Sequence, residues 1–301
     1  MFTGLSAFPL TPFKDEKVDM QAFERLVTNL TDAKVDSICA MGSTGLYPYL
    51  NRDELFSVAQ RTVNLAGDIP VMVGIGSLRT QNVLKNAEAA QKAGVNAVLL
   101  APVSYHPLKE SEVLSLYTQV TAELSVPLCV YENPGVTQFT FSDDLYYEIS
   151  RLPNVAAIKI PGMPFATELG AERLAQLRSI VPKSVAIGVS GDKFGAAGMM
   201  AGCDLWLSVL GGLFPKTVMG MIHAAQSQHN EQEYQSVMQS SQHLDGLWEL
   251  FVRNKGGMRV MATAADILGY CEGSCLPEPL SPLQGEDRRA LAQLLEQLQL
   301  D

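Results

Sequence analysis

Residues 71–101, VMVGIGSLRTQNVLKNAEAAQKAGVNAVLLA, contain the repeating unit from which the fold is read. The apolar run Val71-Gly74 reads as a buried strand, the amphipathic stretch Thr80-Ala93 as a helix, and Ala97-Ala101 as the next strand. Short apolar strands joined through a helix are the signature of βα units around a parallel sheet. Outward from this unit the alternation recurs. The strand candidates are Gly4-Leu10, Ser37-Met41, Val71-Gly74, Ala97-Ala101, Leu128-Tyr131, Ala156-Lys159, Ala186-Gly188 and Leu205-Ser208, with helix-like stretches such as Met20-Ala33 and Arg52-Ala66 between them. Eight such units in a chain of 301 residues predict α/β architecture closed as a (β/α)8 TIM barrel, not an open doubly wound sheet.

After about Gly220 the strands stop. Met221-Asn230, Glu231-Phe251, Gly257-Leu268 and Gly285-Leu300 read as helices, and the cluster Pro277, Pro279 and Pro282 reads as a rigid connector. The expected organisation is a barrel over residues 1–228 and a small C-terminal helical region over 229–301.

Composition narrows the partners. With 47% apolar and 18% charged residues the chain can bury a large core, and 32 acidic against 22 basic residues leave a net charge of −10. A phosphate backbone or an anionic bilayer would be repelled, so neither nucleic acid nor membrane is an expected partner. The opening Met1–Ser6 lacks a basic and apolar leader, and no stretch approaches a membrane span, so a cytoplasmic location is expected. Of five cysteines, Cys39, Cys129 and Cys203 lie in or beside apolar runs and read as core thiols. Cys271 and Cys275 form the one close pair, too few ligands for a zinc site, and read as structurally incidental.

In a parallel barrel the chemistry gathers at the carboxyl ends of the strands. Strand two runs into Gly42-Ser43-Thr44-Gly45, strand four into Pro102–Pro107, strand five into Tyr131-Glu132-Asn133-Pro134, and strand six ends at Lys159 before Pro161-Gly162. A lysine held at a buried strand end is penalised in its charged form, and a neutral amine attacks ketones. The bland alternative is a lysine whose stem covers apolar surface while its head reaches water. Likewise a Gly-Ser-Thr-Gly run alone is an ordinary turn, and a strand-end tyrosine usually only packs. Convergence favours chemistry: a hydroxyl-bearing loop suited to a carboxylate, a phenol able to pass a proton, and an amine meet at one barrel end. Strand alternation sends Glu132 away from Tyr131, leaving Asn133 to contact a substrate hydroxyl. A metal-dependent aldolase would need histidines and carboxylates at strand ends. His223, His229 and His243 instead fall in the helical segment and His106 stands alone, so neither metal nor cofactor is expected.

Gly42-Ser43-Thr44-Gly45, Tyr131 with Pro134, Lys159 and Ser190-Gly191-Asp192 together resemble the dihydrodipicolinate synthase and N-acetylneuraminate lyase family, over a span from Pro9–Phe13 to Leu276–Leu280. The resemblance implies class I aldolases and related lyases, usually homotetramers, that bind pyruvate or a longer 2-oxo acid as an imine. It makes Lys159 the imine lysine, Tyr131 the proton carrier, Ser43 the relay hydroxyl, Thr44 with Gly42 and the backbone around them the carboxylate site, and Gly191 a backbone contact to the keto acid. The family's second tyrosine, lent by a neighbouring subunit, has its nearest match at Ser104, with Tyr105 beside it as the candidate contact. Two departures stand out: Leu46 where the family usually has glutamate, and Val136 where true synthases place a carboxylate-gripping arginine. The expected function is therefore a Schiff-base-forming lyase acting on pyruvate or a longer 2-oxo acid, such as a 2-keto-3-deoxy sugar acid. The alternatives are an authentic 4-hydroxy-tetrahydrodipicolinate synthase and a non-catalytic keto-acid binding protein.

Overall fold

The computed structural model describes residues 2–227 and 231–301. Eight parallel strands close into a barrel: β1 (Gly4–Ala7), β2 (Ser37–Ala40), β3 (Val71–Gly74), β4 (Ala97–Leu100), β5 (Leu128–Tyr131), β6 (Val155–Ile160), β7 (Ala186–Val189) and β8 (Leu205–Ser208). Each strand pairs with its sequence neighbours, and β1 pairs with β8 to complete the ring. The predicted (β/α)8 fold is the observed one. All eight expected strands are present, although β1 stops at Ala7, because Pro9 has no N–H to continue a ladder.

The surrounding helices are α1 (Met20–Ala33), α2 (Arg52–Ala66), α3 (Thr80–Lys92), α4 (Glu110–Ala122), α5 (Asp143–Ile149), α6 (Leu169–Ile180), α7 (Gly195–Met200) and α8 (Pro215–Gln226). Local chemistry starts several of them. Asn51 caps α2 by accepting from Asp53 and Glu54 N–H, while the Glu54 carboxylate accepts from Asn51 N–H, a reciprocal capping box. Apolar positions at helical spacing, such as Phe23, Leu26, Val27 and Leu30 of α1, are buried against the barrel.

Four further helices follow: α9 (Glu231–Gln242), α10 (Asp245–Arg253), α11 (Gly257–Ile267) and α12 (Gly285–Leu298). The expected single helix over Glu231-Phe251 is two. The break lets buried Trp248 turn back and donate from Nε1 to Ser241 O at 3.1 Å. The expected boundary between residues 228 and 229, and the end of the predicted Met221-Asn230 helix, lie outside the described residues. At the C-terminus Thr217 N–H donates to Asp301 O at 2.8 Å, tying the last residue to α8.

Two features depart from the sequence reading. Phe13–Lys14 and Lys17–Val18 form an antiparallel hairpin whose turn residues Asp15 and Glu16 both have positive φ, 50° and 58°. Such turns are signalled by Asn-Gly or Asp-Gly, and Asp-Glu carries no glycine to reveal this one. Cys271 and Cys275 are joined in a disulfide, not incidental to the loop that holds them. That loop reaches back to the hairpin, where Phe13 N–H donates to Cys275 O at 3.1 Å. Among the described residues no helix is long and apolar enough to cross a membrane.

Candidate active site

The site is built on the pairing of β5 with β6. Tyr131 and Lys159 are register partners, so their side chains leave the sheet on the same face. That face is the interior: Cys129 and Ala157, two residues earlier on each strand, belong to the inward cluster that also holds Phe8, Leu99 and Leu207. Lys159 is 3% exposed. Its Nζ lies 3.8 Å from the centroid of the Phe8 ring and 4.2 Å from that of Tyr131. Among the described residues it makes no ion pair and no side-chain hydrogen bond. The head group is therefore held by two ring faces, which favour a cation without fixing its direction. Below it sit the buried thiols Cys39 and Cys129. Burial pushes Cys129 up to about 12 and Cys39 well above its usual range, while the Lys159 charge pulls both back.

The loop after β2 faces this lysine across Phe8. A Cβ added to Gly42 would lie 2.4 Å from Phe8 Cδ1, so the absent side chain makes room for the ring that carries Lys159. The segment is bracketed by Met41 and Leu46, both buried and both in the left-handed region at φ 56° and 61°. Bulky residues rarely adopt that conformation, and such strained positions cluster at binding sites. Among the described residues the backbone N–H groups of Ser43, Thr44 and Gly45 meet no acceptor. Three consecutive unmet donors make an anion-binding concavity. Thr44 also lines a crevice of about 10 Å³ with Phe8, Leu10 and Met261. Asn133 Nδ2 donates to Ser43 Oγ at 3.5 Å, joining the loops after β2 and β5.

Two buried carboxylates frame the rest. Asp192, just beyond β7, accepts from Ser208 Oγ at 2.5 Å, Trp206 Nε1 at 3.0 Å, Leu210 N–H at 3.1 Å and Val209 N–H at 3.2 Å. Burial pushes its carboxyl above the ordinary range; the donors, led by Ser208, and then the Lys159 charge oppose that. Gly191 before it sits at φ 82°, where a side chain would be strained. Glu132 points away from Tyr131, as alternation requires, and accepts from Tyr146 Oη and from Phe141 N–H at 2.9 Å. Burial raises its carboxyl too, against those two hydrogen bonds. Tyr47, in the loop after β2, is a further buried phenol, raised well above its usual range by burial and by neighbouring Tyr131.

Of the residues singled out from sequence, Lys159, Tyr131 and Gly42 meet around Phe8, and Ser43 and Asn133 join each other at the same barrel end. Gly191 lies two residues beyond the end of β7, the strand that pairs with β6. Tyr105 is not gathered in: it is 87% exposed, with its ring 5.2 Å from His106 in an edge-on contact. Leu46 is 1% exposed and so is packed in the core, not offered to a substrate. Sequence reasoning passed over Phe8, which one more step of strand alternation from Ser6 would have turned inward. It also passed over Asp192, quoted but given no role. Among the described residues no three His, Cys, Asp or Glu side chains are grouped to hold a metal.

Residues 1–298 match the Dihydrodipicolinate synthetase family. The chain is 26% identical over 302 aligned positions to the 4-hydroxy-tetrahydrodipicolinate synthase of Rickettsia rickettsii, covering 100% of this chain and 98% of that protein. It is 38% identical to dihydrodipicolinate synthase from Agrobacterium tumefaciens, whose crystal structure it matches with a TM-score of 0.92 over 99% of this chain and 98% of the other. At 24% identity, dihydrodipicolinate synthase from Thermotoga maritima shares the fold, with a TM-score of 0.90 over the full length of both chains.

Proposed function

The chain belongs to the dihydrodipicolinate synthetase family of Schiff-base-forming, class I aldolase-type lyases, and on that premise we propose that Lys159 forms an imine with the C2 ketone of pyruvate or a longer 2-oxo acid. The observation that carries this reading is the buried Lys159 amine, set between the Phe8 and Tyr131 rings and making, among the described residues, no ion pair and no side-chain hydrogen bond. Once neutral, its lone pair is committed to no hydrogen bond and is free to attack.

The substrate carboxylate is received by the unmet N–H groups of Ser43, Thr44 and Gly45. Attack at C2 gives a carbinolamine whose hydroxyl must leave as water. Tyr131, beside the amine, supplies that proton, and Ser43 passes one between the phenol and the substrate. The protonated imine then withdraws electrons from C3, which permits cleavage, condensation or dehydration along the chain. Asn133 contacts a substrate hydroxyl, and the Gly191 backbone closes the far side of the keto acid. The substrate class is a 2-oxo acid of the 2-keto-3-deoxy sugar acid kind. Synthase activity of the sort named for the relatives is the second reading. The loop after β5 weighs against it, since Val136 is 65% exposed and that loop carries no cation to grip a second carboxylate.

We take the working assembly to be a homotetramer acting in the cytoplasm. Leu78 at 65% and Tyr105 at 87% exposure, in the loops after β3 and β4, support a covered face there. Tyr105 then contacts substrate only across a subunit boundary. The test of the function is pyruvate release from a panel of 2-keto-3-deoxy sugar acids by the unaltered protein and by Lys159→Ala. Release by the first and not the second is expected. No release from any member, or equal release by both, would overturn the reading.

A further inference from the structure

A cavity of about 900 Å³ opens beside the proposed imine site. Met163 and Phe165 line it from the loop that follows β6, the strand of Lys159, and Gly191 and Lys193 line it from the loop that follows β7. Trp248 and Lys255 close it from α10 and the turn after α10. Because both loops leave the carboxyl ends of their strands, the cavity lies on the barrel face where Lys159 ends. Gly191, placed beside the keto acid in the proposed site, and its neighbour Asp192 also line the cavity. Its size admits several carbons beyond a keto acid.

The charge inventory of this cavity is asymmetric. Lys193 and Lys255 both line it, both are exposed, and neither makes an ion pair or a side-chain hydrogen bond among the described residues. Lys255 is held in the left-handed region at φ 58° and is followed by Gly256 at φ 124°, a turn that fixes where its side chain begins. Of the two carboxylates in the lining, Asp192 is consumed by four donors, and Asp245 alone is left to oppose two cations. The remaining wall is largely apolar, from Phe165, Phe194, Trp248 and Phe251.

We infer that Lys193 and Lys255 bind a second, terminal carboxylate, so that among the 2-oxo acids proposed for this site the preferred substrate is a linear one that ends in a second acid group. Its keto carbon meets Lys159 and its methylene chain lies along the apolar wall. This inference rests on the imine reading for the placement of the keto end. It moves recognition of a second acid from the cation-free loop after β5 to the loop after β7.

The experiment is calorimetric titration of the full-length protein with 2-oxoadipate and with 2-oxohexanoate, acids of equal chain length ending in a carboxylate and a methyl group. A charge-assisted contact predicts that 2-oxoadipate binds about tenfold or more tightly than 2-oxohexanoate. Lys193→Ala and Lys255→Ala each lower that ratio severalfold, Lys193→Glu brings it to one or below, and Lys193→Arg preserves it. Equal affinity for the two acids in the unaltered protein overturns the inference, as does a ratio that both alanine variants leave unchanged. Titration reads binding alone. Borohydride reduction with pyruvate, run alongside, judges the imine separately, so failure of one reading is distinguishable from failure of the other.

Discussion

At the scale of single residues, the environment of Lys159 is unusual for a cation: two aromatic faces at 3.8 and 4.2 Å and, among the described residues, no ion pair. If Tyr131 carries protons to and from the adduct, Tyr131→Phe keeps the ring over Nζ and removes only the hydroxyl. Steady-state kinetics should then show kcat reduced by about 10²–10⁴-fold with a smaller change in KM. Asp192 is a separate case, because among the described residues its four donors meet no other acceptor. Asp192→Ala leaves them unmet in the interior and should cost about 3 kcal/mol or more in chemical denaturation. Glu132 permits a test of sign. Its carboxyl is raised by burial, so the native chain holds that proton to higher pH than the unfolded chain. Its contribution to stability is full below the ordinary glutamate range and is lost as pH rises through the raised native value. Denaturation of the wild type and of Glu132→Gln should therefore differ more in favour of the variant at pH 8 than at pH 5. A gap that shrinks with rising pH would contradict the assignment. The positions of Lys159, Tyr131 and Ser43 at one end of the barrel were legible because strand ends can be counted from apolar runs. The reason for Gly42 was not, since a steric demand made by Phe8 from another strand leaves no mark on the local sequence.

At the scale of elements, the strands were the most legible part, since each is a continuous apolar run closed by a turn, as a sheet covered on both faces demands. Elements fixed by contacts outside the helical and strand repeats were not. The Phe13–Val18 hairpin is pinned by its bond to Cys275, and the break between α9 and α10 is fixed by Trp248 reaching back to Ser241. Neither partner can be seen by periodicity. The Cys271–Cys275 bridge closes a short loop that anchors this hairpin. Because a short closed loop removes little chain entropy, opening it should lower stability by about 2 kcal/mol. Thermal unfolding with and without dithiothreitol measures this, and an unchanged midpoint would show that the loop is held by its other contacts alone.

At the scale of the whole molecule, the barrel explains why residues from strands one, two, five, six and seven meet at one end, and the C-terminal helices supply the outer wall of the adjoining cavity. The proposed tetramer belongs at this scale. Sedimentation equilibrium should return a species of four chains, and a monomer at micromolar concentration would remove the case for a subunit-crossing role of Tyr105. Fold and family were within reach of the sequence because βα repetition and strand-end motifs are local. Substrate class was not, because it depends on which charges line a cavity formed by segments nearly a hundred residues apart. Every step proposed for this site passes through the imine on Lys159, and intact-protein mass spectrometry after borohydride reduction with pyruvate detects that bond. A reduced pyruvyl adduct on the unaltered chain, absent from Lys159→Ala, is the predicted result. No adduct on the unaltered chain, or an equal adduct on the variant, would contradict it.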